Sequence, residues 1–213
     1  MKCLLSGTCL FVLALFGSAG AADLSLKDAK VGESPKGWTA THTGTGKGSV
    51  WKIVEDKESP DGGKALAQVS GEGSGGFFNL CVADETTVKD VDLTVSFKAT
   101  AGKEDQGGGP VWRFKDANNY YIARMNPLED NFRLYKVVGG KRSQLGSTDV
   151  EAEAGKWHTI RIKHDGNHVE CFLNDKLQLD VTDDAFQEAG KIGLWTKADA
   201  QTRFAGIKVK GKK

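Results

Sequence analysis

The stretch VDLTVSFK, residues 91–98, alternates apolar and polar side chains without a break. Neighbouring residues of a β-strand point to opposite faces, so this alternation predicts a strand with one buried face. Similar short runs recur along the chain and are often separated by glycine or asparagine turns. They cover residues 49–54, 64–70, 77–82, 109–114, 118–126, 131–138, 157–164, 168–174, 176–182, 190–197 and 203–209. Helical periodicity is nearly absent, so the sequence predicts an all-β, two-sheet antiparallel jelly-roll sandwich.

The first residues have the pattern of a secretory signal peptide. Lys2 precedes an apolar run, Cys9 to Phe16, and small residues follow up to Ala21. A membrane anchor is the alternative, but a spanning helix needs about 20 apolar residues. We therefore expect a signal peptide at 1–21, a poorly packed leader at 22–37 and one sandwich domain at 38–213. The protein is expected to be secreted or periplasmic, without membrane contact after cleavage.

Charge and cysteine content narrow the possible partners. Residues 1–21 hold one basic residue, Lys2, so the remainder has 28 basic and 28 acidic residues. This balance argues against nucleic acid as a partner, and we expect a monomer. Cys81 and Cys171 remain after cleavage; they could form a disulfide or be separate buried residues. The four histidines show no zinc-ligand spacing, so no metal is expected.

Several motifs carry a family likeness: DQGGG (105–109), VWRF (111–114), DANNYY (116–121), NFRLY (131–135), GKWHT (155–159) and GKIGLWTKAD (190–199). Together they resemble the concanavalin A-like, laminin-G-like sandwich domains of secreted bacterial proteins, and most nearly the 3-keto-disaccharide hydrolase-like domains. The resemblance implies a jelly roll whose concave face often binds carbohydrate and sometimes hydrolyses it. Two departures matter. The Glu-x-Asp-x-Glu motif of laminarinase-type relatives is missing, and Phe204-Ala205-Gly206 replaces a Phe-Asp-Asp motif. A structural calcium is therefore not supported, and no cofactor is expected.

Alternation divides the strands of residues 106–137 and 190–197 into two faces. Apolar partners such as Phe132 and Leu134, or Trp112 and Phe114, are expected to point inward. The polar and aromatic residues between them would then share the concave face. This predicted ligand face consists of Arg113, Tyr120, Arg124, Asn126, Arg133, Tyr135, Trp195 and Lys197.

The chemistry of that face suits an oligo- or polysaccharide. Aromatic rings stack on sugars, and arginine and asparagine donate hydrogen bonds to hydroxyl groups. Three arginines and a lysine also suit a carboxylated or sulfated sugar. The alternative is a solvated wall in which these arginines pair with the acids Asp105, Asp116, Glu129 and Asp130.

A glycoside hydrolase of the 3-keto-disaccharide hydrolase or laminarinase type is the alternative function. Hydrolysis ordinarily needs two carboxyl groups about 5–10 Å apart. Asp90 and Asp92 share one strand face and are candidates, although the favoured interpretation is that they are solvated acids at a strand end. No catalytic residue is assigned, and non-catalytic binding is the preferred hypothesis.

Overall fold

A computed structural model describes residues 22–212, so the predicted signal peptide at 1–21 lies outside the described residues. The described chain is built of β-strands joined by turns and loops. The strands are β1 (Ala22–Asp23), β2 (Trp38–Thr43), β3 (Trp51–Glu55), β4 (Lys64–Gln68), β5 (Phe78–Ala83), β6 (Asp90–Ala101), β7 (Gly109–Asp116), β8 (Asn119–Asn126), β9 (Asn131–Val138), β10 (Lys141–Asp149), β11 (His158–Asp165), β12 (His168–Leu173), β13 (Lys176–Thr182), β14 (Lys191–Lys197) and β15 (Gln201–Lys212). None of the described residues forms a helix long and apolar enough to cross a membrane.

Two antiparallel sheets pack face to face. The first sheet has eight strands in the order β13-β12-β11-β6-β15-β4-β3, with β1 paired to β15. The second has seven strands in the order β10-β9-β8-β7-β14-β5-β2. Non-consecutive neighbours such as β7 and β14 show that the chain crosses repeatedly between the sheets. The predicted all-β jelly-roll sandwich is confirmed.

The inter-sheet core follows from the alternation in β6. Leu93, Val95 and Phe97 are at most 1% exposed, whereas the residues between them are partly exposed. Burying one such side chain contributes about 1.5–3 kcal/mol. The second sheet covers them with apolar residues that include Trp112, Tyr121, Ala123, Met125, Phe132, Leu134, Ile192 and Leu194.

The segment at 22–37, predicted to be a poorly packed leader, is held to the sandwich at a few points, while most of residues 24–37 are exposed. Leu26 is 3% exposed and belongs to the inter-sheet core. The ammonium group of Lys64 donates hydrogen bonds to the carbonyls of Lys27 and Ala29, at 2.6 and 2.7 Å. Apolar burial and backbone hydrogen bonding thus fix a stretch that has no strand-like alternation of its own.

Candidate functional site

Seven of the eight predicted ligand-face residues lie on the outer face of the second sheet, which is the face opposite the inter-sheet core. The register pairs Ile122 with Tyr135 and Arg124 with Arg133, without a bulge between β8 and β9. Their neighbours Tyr121, Phe132 and Leu134 belong to the inter-sheet core. The residues brought to this outer face are Tyr120, Arg124, Asn126, Arg133, Tyr135, Trp195 and Lys197.

Arg113 does not share this face, and the prediction that it does is wrong. A bulge interrupts the pairing of β7 with β8 after Trp112, and Arg113 has a left-handed φ of 46°. A bulge inserts a residue and re-aims the side chains that follow it. Trp112 therefore faces the inter-sheet core, whereas Phe114 packs near Tyr120 on the outer face. The predicted inward pairing of Trp112 with Phe114 fails for the same reason.

The Arg113 guanidinium instead joins loops at one end of the sandwich. It donates to the carbonyls of Lys89, Phe186 and Gly166 at 2.9, 2.7 and 2.8 Å. Its contact with Asp90 is longer, at 3.5 Å. Because every nitrogen of the guanidinium is used in this way, Arg113 is a structural residue.

The aromatic residues of the outer face form a second buried cluster. Tyr120 and Trp195 are fully buried and Tyr135 is 4% exposed, alongside Phe78, Leu80, Val111, Ile122 and Val137. A ring that is already covered cannot stack on a sugar without a rearrangement. The expected exposed aromatic platform is therefore absent from this conformation.

Arg142 covers part of this cluster. Its guanidinium carbon lies 4.3, 5.1 and 5.8 Å from the ring centroids of Tyr135, Phe78 and Trp195. Such contacts stabilise a cation against the negative faces of the rings. Arg142 lies on β10, a strand that apolar alternation did not reveal. The adjacent Gly139-Gly140 pair, typical of a two-residue hairpin turn, was the available signal.

Arg124 anchors the polar end of the outer face. It donates to Glu129 at 2.9 Å and to Asn131 at 3.2 Å, and Arg133 donates to the same Glu129 oxygen at 3.2 Å. Burial raises the pKa of Glu129, but hydrogen bonds from Arg124 and Asn131 and the nearby positive charges outweigh it. The resulting pKa is about 2, so Glu129 is a carboxylate at neutral pH.

A second acid, Asp105, lies beneath the same end of the face. It accepts hydrogen bonds from Lys197 at 2.8 Å and Asn126 at 3.1 Å, and it is 1% exposed. Burial raises its pKa, although Lys197 and Arg124 oppose the shift. The Asp199 carboxylate holds this loop by accepting backbone N–H groups, including that of Asp105 at 3.0 Å.

Three buried nitrogen atoms on this face have no hydrogen-bond partner: Arg124 Nε, Arg142 Nη1 and Trp195 Nε1. Burial raises the pKa of Tyr120 to about 12, and the nearby Trp195 indole partly opposes this rise. The indole N–H is nevertheless not in hydrogen-bond geometry with the Tyr120 hydroxyl. An unpaired buried donor costs about 1–3 kcal/mol. The face therefore has buried donors whose hydrogen bonding the described residues leave incomplete.

The outer-face site is defined here by Asp105, Arg124, Asn126, Glu129, Arg133, Tyr135, Arg142 and Lys197. Asp90 and Asp92 lie outside it. Asp92 pairs with Arg161 through contacts of 2.7 and 2.6 Å, which lower its pKa, and Asp90 accepts the Gly166 N–H at 3.0 Å. Both carboxylates are thus engaged by basic or backbone groups.

Neither a disulfide nor a metal-binding cluster is found among the described residues. Cys81 and Cys171 are free thiols and both are buried. Of the two alternatives, they are separate buried residues and do not form a disulfide. Burial raises the pKa of both thiols. Within residues 22–212, no group of three or more His, Cys, Asp or Glu side chains is arranged to hold a metal ion.

Known proteins share this architecture. The carbohydrate-binding module CBM66 from Bacillus subtilis superposes with a TM-score of 0.65 and 20% identity, covering 82% of this chain and 96% of that one. Domain 4 of AbnA, a GH43 extracellular arabinanase from Geobacillus stearothermophilus in complex with arabinotriose, gives a TM-score of 0.57. It is 14% identical, and the match covers 88% of this chain and 90% of that domain. These likenesses show the fold.

The sequence itself matches one curated relative and one family. A levanase of Bacillus subtilis (strain 168) is 24% identical over 159 residues, which are 74% of this chain and 20% of the levanase. The chain thus spans about a fifth of that relative. The family match runs over residues 25–210, almost the whole described chain. The chain belongs to the family of 3-keto-alpha-glucoside-1,2-lyase-like domains.

Proposed function

We propose that the protein binds an oligo- or polysaccharide non-catalytically through the outer-face site. The observation that carries this proposal is the unpaired Nε of Arg124, a side chain only 1% exposed. A sugar hydroxyl can accept from such a donor once the side chains that cover it move aside, and it can donate to the partly exposed carboxylate of Glu129. Sugars therefore match a site that offers both donors and acceptors.

The similar proteins support the same function. One is a carbohydrate-binding module and another is an arabinanase domain in complex with arabinotriose. Binding to this chain's site is our inference from its polar groups, and the ligand contacts are expected to be hydrogen bonds rather than ring stacking. The excess of cations over carboxylates at the site favours an acidic glycan.

A glycan-array screen of the purified protein, with and without calcium, tests the proposal. Hits are then titrated calorimetrically with wild type and with Arg124→Met, which keeps the apolar stem and removes the donors. We expect at least about a tenfold loss of affinity, since a hydrogen bond to a charged group contributes about 1.5–3 kcal/mol.

Arg161→Met is the matched control, because Arg161 pairs with Asp92 on the first sheet, away from the site. It should leave affinity unchanged. The proposal fails if no glycan binds, or if both variants bind as well as wild type while remaining folded.

Cleavage of a glycoside is the second candidate function, of the 3-keto-disaccharide hydrolase type. Family membership favours it, and so do the opposite pKa shifts of Asp105 and Glu129, since separated pKa values mark acid and base pairs. The burial of Asp105 opposes it, because a catalytic acid must reach the substrate. Product analysis on each array hit separates the two candidates: intact glycan supports binding, whereas products abolished by Glu129→Gln support catalysis.

We also propose that the protein is secreted or periplasmic and monomeric. The signal-peptide pattern at 1–21 and the extracellular arabinanase among the similar proteins support secretion. Cell fractionation and size-exclusion chromatography test these two points independently of ligand binding.

A further inference from the structure

Arg142 has no carboxylate partner in the described part of the chain. Among residues 22–212 it forms no ion pair, whereas Arg124 pairs with Glu129 at 2.9 Å and Arg161 with Asp92 at 2.6 Å. Burial lowers the pKa of Arg142, although the group stays protonated because guanidinium is so basic. Its buried Nη1 has no acceptor. Desolvation of a cation without a partner is costly.

The surrounding acids are already engaged. Asp105 is bonded to Lys197 and Asn126. Glu129 accepts from Arg124 and Arg133. The site therefore sets four cations against two carboxylates, and no carboxylate of the site is bonded to Arg142.

The position of Arg142 is nevertheless well defined. Its planar group lies against the Tyr135 ring at 4.3 Å and near those of Phe78 and Trp195. A guanidinium fixed in this way is pre-organised, so less conformational entropy is lost when it forms hydrogen bonds. It can present two parallel N–H groups to the oxygens of one anion.

We propose that Arg142 determines ligand specificity by pairing with an anionic group, a carboxylate or a sulfate, carried by the glycan. This inference rests on the proposed function and concerns the same site. A ligand anion would supply both the missing acceptor and the missing negative charge. A neutral hydroxyl can accept a hydrogen bond, but it leaves the charge uncompensated.

Matched glycan pairs test the inference and distinguish the two sources of the anion. The carboxylate arm compares oligogalacturonate with its methyl ester, and the sulfate arm compares chondroitin sulfate oligosaccharides with their desulfated forms. Neutral oligosaccharides bound in the array screen are titrated in parallel. In at least one arm, wild type should bind the anionic member at least about tenfold more tightly, and this preference should weaken as salt is added.

Arg142→Gln should lower the affinity for the anionic glycan about tenfold more than it lowers the affinity for its neutral counterpart. Arg142→Lys, which keeps the charge without the planar fork, should recover only part of this loss. Lys208→Gln is the matched control, because it removes one exposed positive charge from the first sheet. Thermal unfolding of each variant checks folding.

Three results would overturn the inference. If anionic and neutral members of both arms bind equally, or if neutral glycans alone bind, Arg142 does not select charge while the proposed function stands. Equal losses in Arg142→Gln and Lys208→Gln would mean non-specific attraction of polyanions. Absence of binding to every glycan would reject the proposed function together with the inference.

Discussion

Two buried arginines in this sandwich differ in what surrounds their guanidinium groups. Arg113 and Arg124 are each 1% exposed. Arg113 donates from all three of its nitrogens to loop carbonyls. Arg124 leaves Nε without an acceptor. Burial of a charged group therefore does not by itself separate a structural role from a role in recognition; incomplete hydrogen bonding is what supports the recognition role proposed for Arg124.

The chain explains this difference through its backbone. Arg113 lies in a bulge, where the left-handed residue turns its side chain toward the loops that close one end of the sandwich. Arg124 lies in regular strand pairing opposite Arg133, so its side chain remains on the sheet face with few carbonyls near it. The loops that close the sandwich offer free backbone carbonyls as acceptors to Arg113. On a paired strand the carbonyls are used within the sheet, so the acceptors for Arg124 must be side chains or a ligand.

Arg113→Met should give the largest loss of stability. It leaves the carbonyls of Lys89, Phe186 and Gly166 without their donor, one in a buried place and two in partly buried places. We expect a loss of about 3 kcal/mol or more, which lowers the melting temperature by about 6–12 °C in a domain of this size. Glycan affinity of the folded fraction should not change. A loss no larger than that of Arg161→Met, an exposed pair expected to contribute under about 1 kcal/mol, would contradict the comparison.

His164 sharpens the comparison through pH, because it lies beside Arg113. Burial, and then the charge of Arg113, lowers its pKa to about 4 against the opposing effects of Asp90 and Asp183. Its Nδ1 accepts the Trp112 indole N–H at 2.8 Å. Nε2 has no acceptor in hydrogen-bond geometry, although Gly166 is near enough to favour the protonated form slightly.

A lowered pKa means that the unfolded chain binds the proton more tightly than the folded one. The contribution of His164 to the free energy of unfolding is therefore fully present above pH 6.5. It is lost as the pH drops from 6.5 to 4, which lowers the free energy of unfolding by up to about 3 kcal/mol. Denaturant unfolding across this range measures the slope. His164→Asn keeps an acceptor for Trp112 without titrating, and it should flatten the curve; an unchanged slope would assign the pH dependence to other groups.

Strand alternation predicted much of the fold and most of the face. The structure shows the predicted alternation of buried and partly exposed residues from Val91 to Phe97 in β6. In β8, β9 and β14, the alternation of side chains between the two faces places seven of eight candidate residues on one face, as predicted. The alternation rule gave the wrong face for Arg113, because one inserted residue in a strand reverses the faces of the side chains that follow it. No local signal in Val111–Phe114 marks that bulge, which depends on its pairing with β8 and β14.

The site was harder to predict than the fold. β10 is an edge strand of mostly polar residues, so it lacks the apolar alternation that reveals a half-buried strand. Arg142 was missed with it. Asp105 and Glu129 were expected to be loop acids that pair with arginines, and Glu129 does so. The covering of the aromatic rings depends on side-chain packing across six strands, β5, β7, β8, β9, β10 and β14, which alternation along a single strand does not encode.

Arg124→Met should cost less stability than Arg113→Met while lowering ligand affinity at least about tenfold. After the substitution, Glu129 still pairs with Arg133 and is partly exposed to water. The loss of Arg124 therefore leaves the Glu129 carboxylate only partly without compensation. We expect a loss of about 1–2 kcal/mol in chemical unfolding. A loss equal to that of Arg113→Met, with glycan affinity preserved, would reverse the roles assigned to the two arginines.

Gly139→Ala should have the smallest effect and tests how the chain presents Arg142. Gly139 and Gly140 form a two-residue hairpin turn with φ angles of 56° and 77°. A Cβ at Gly139 would meet nothing within 4 Å, so the cost is the left-handed backbone alone, about 1 kcal/mol. Gly76→Ala, an open position without a left-handed φ, is the control and should change stability by less than about 0.5 kcal/mol. Because a slip of one residue would turn Arg142 to the opposite face, unchanged preference for the anionic glycan would show that β9 and β10 hold their register without help from the turn.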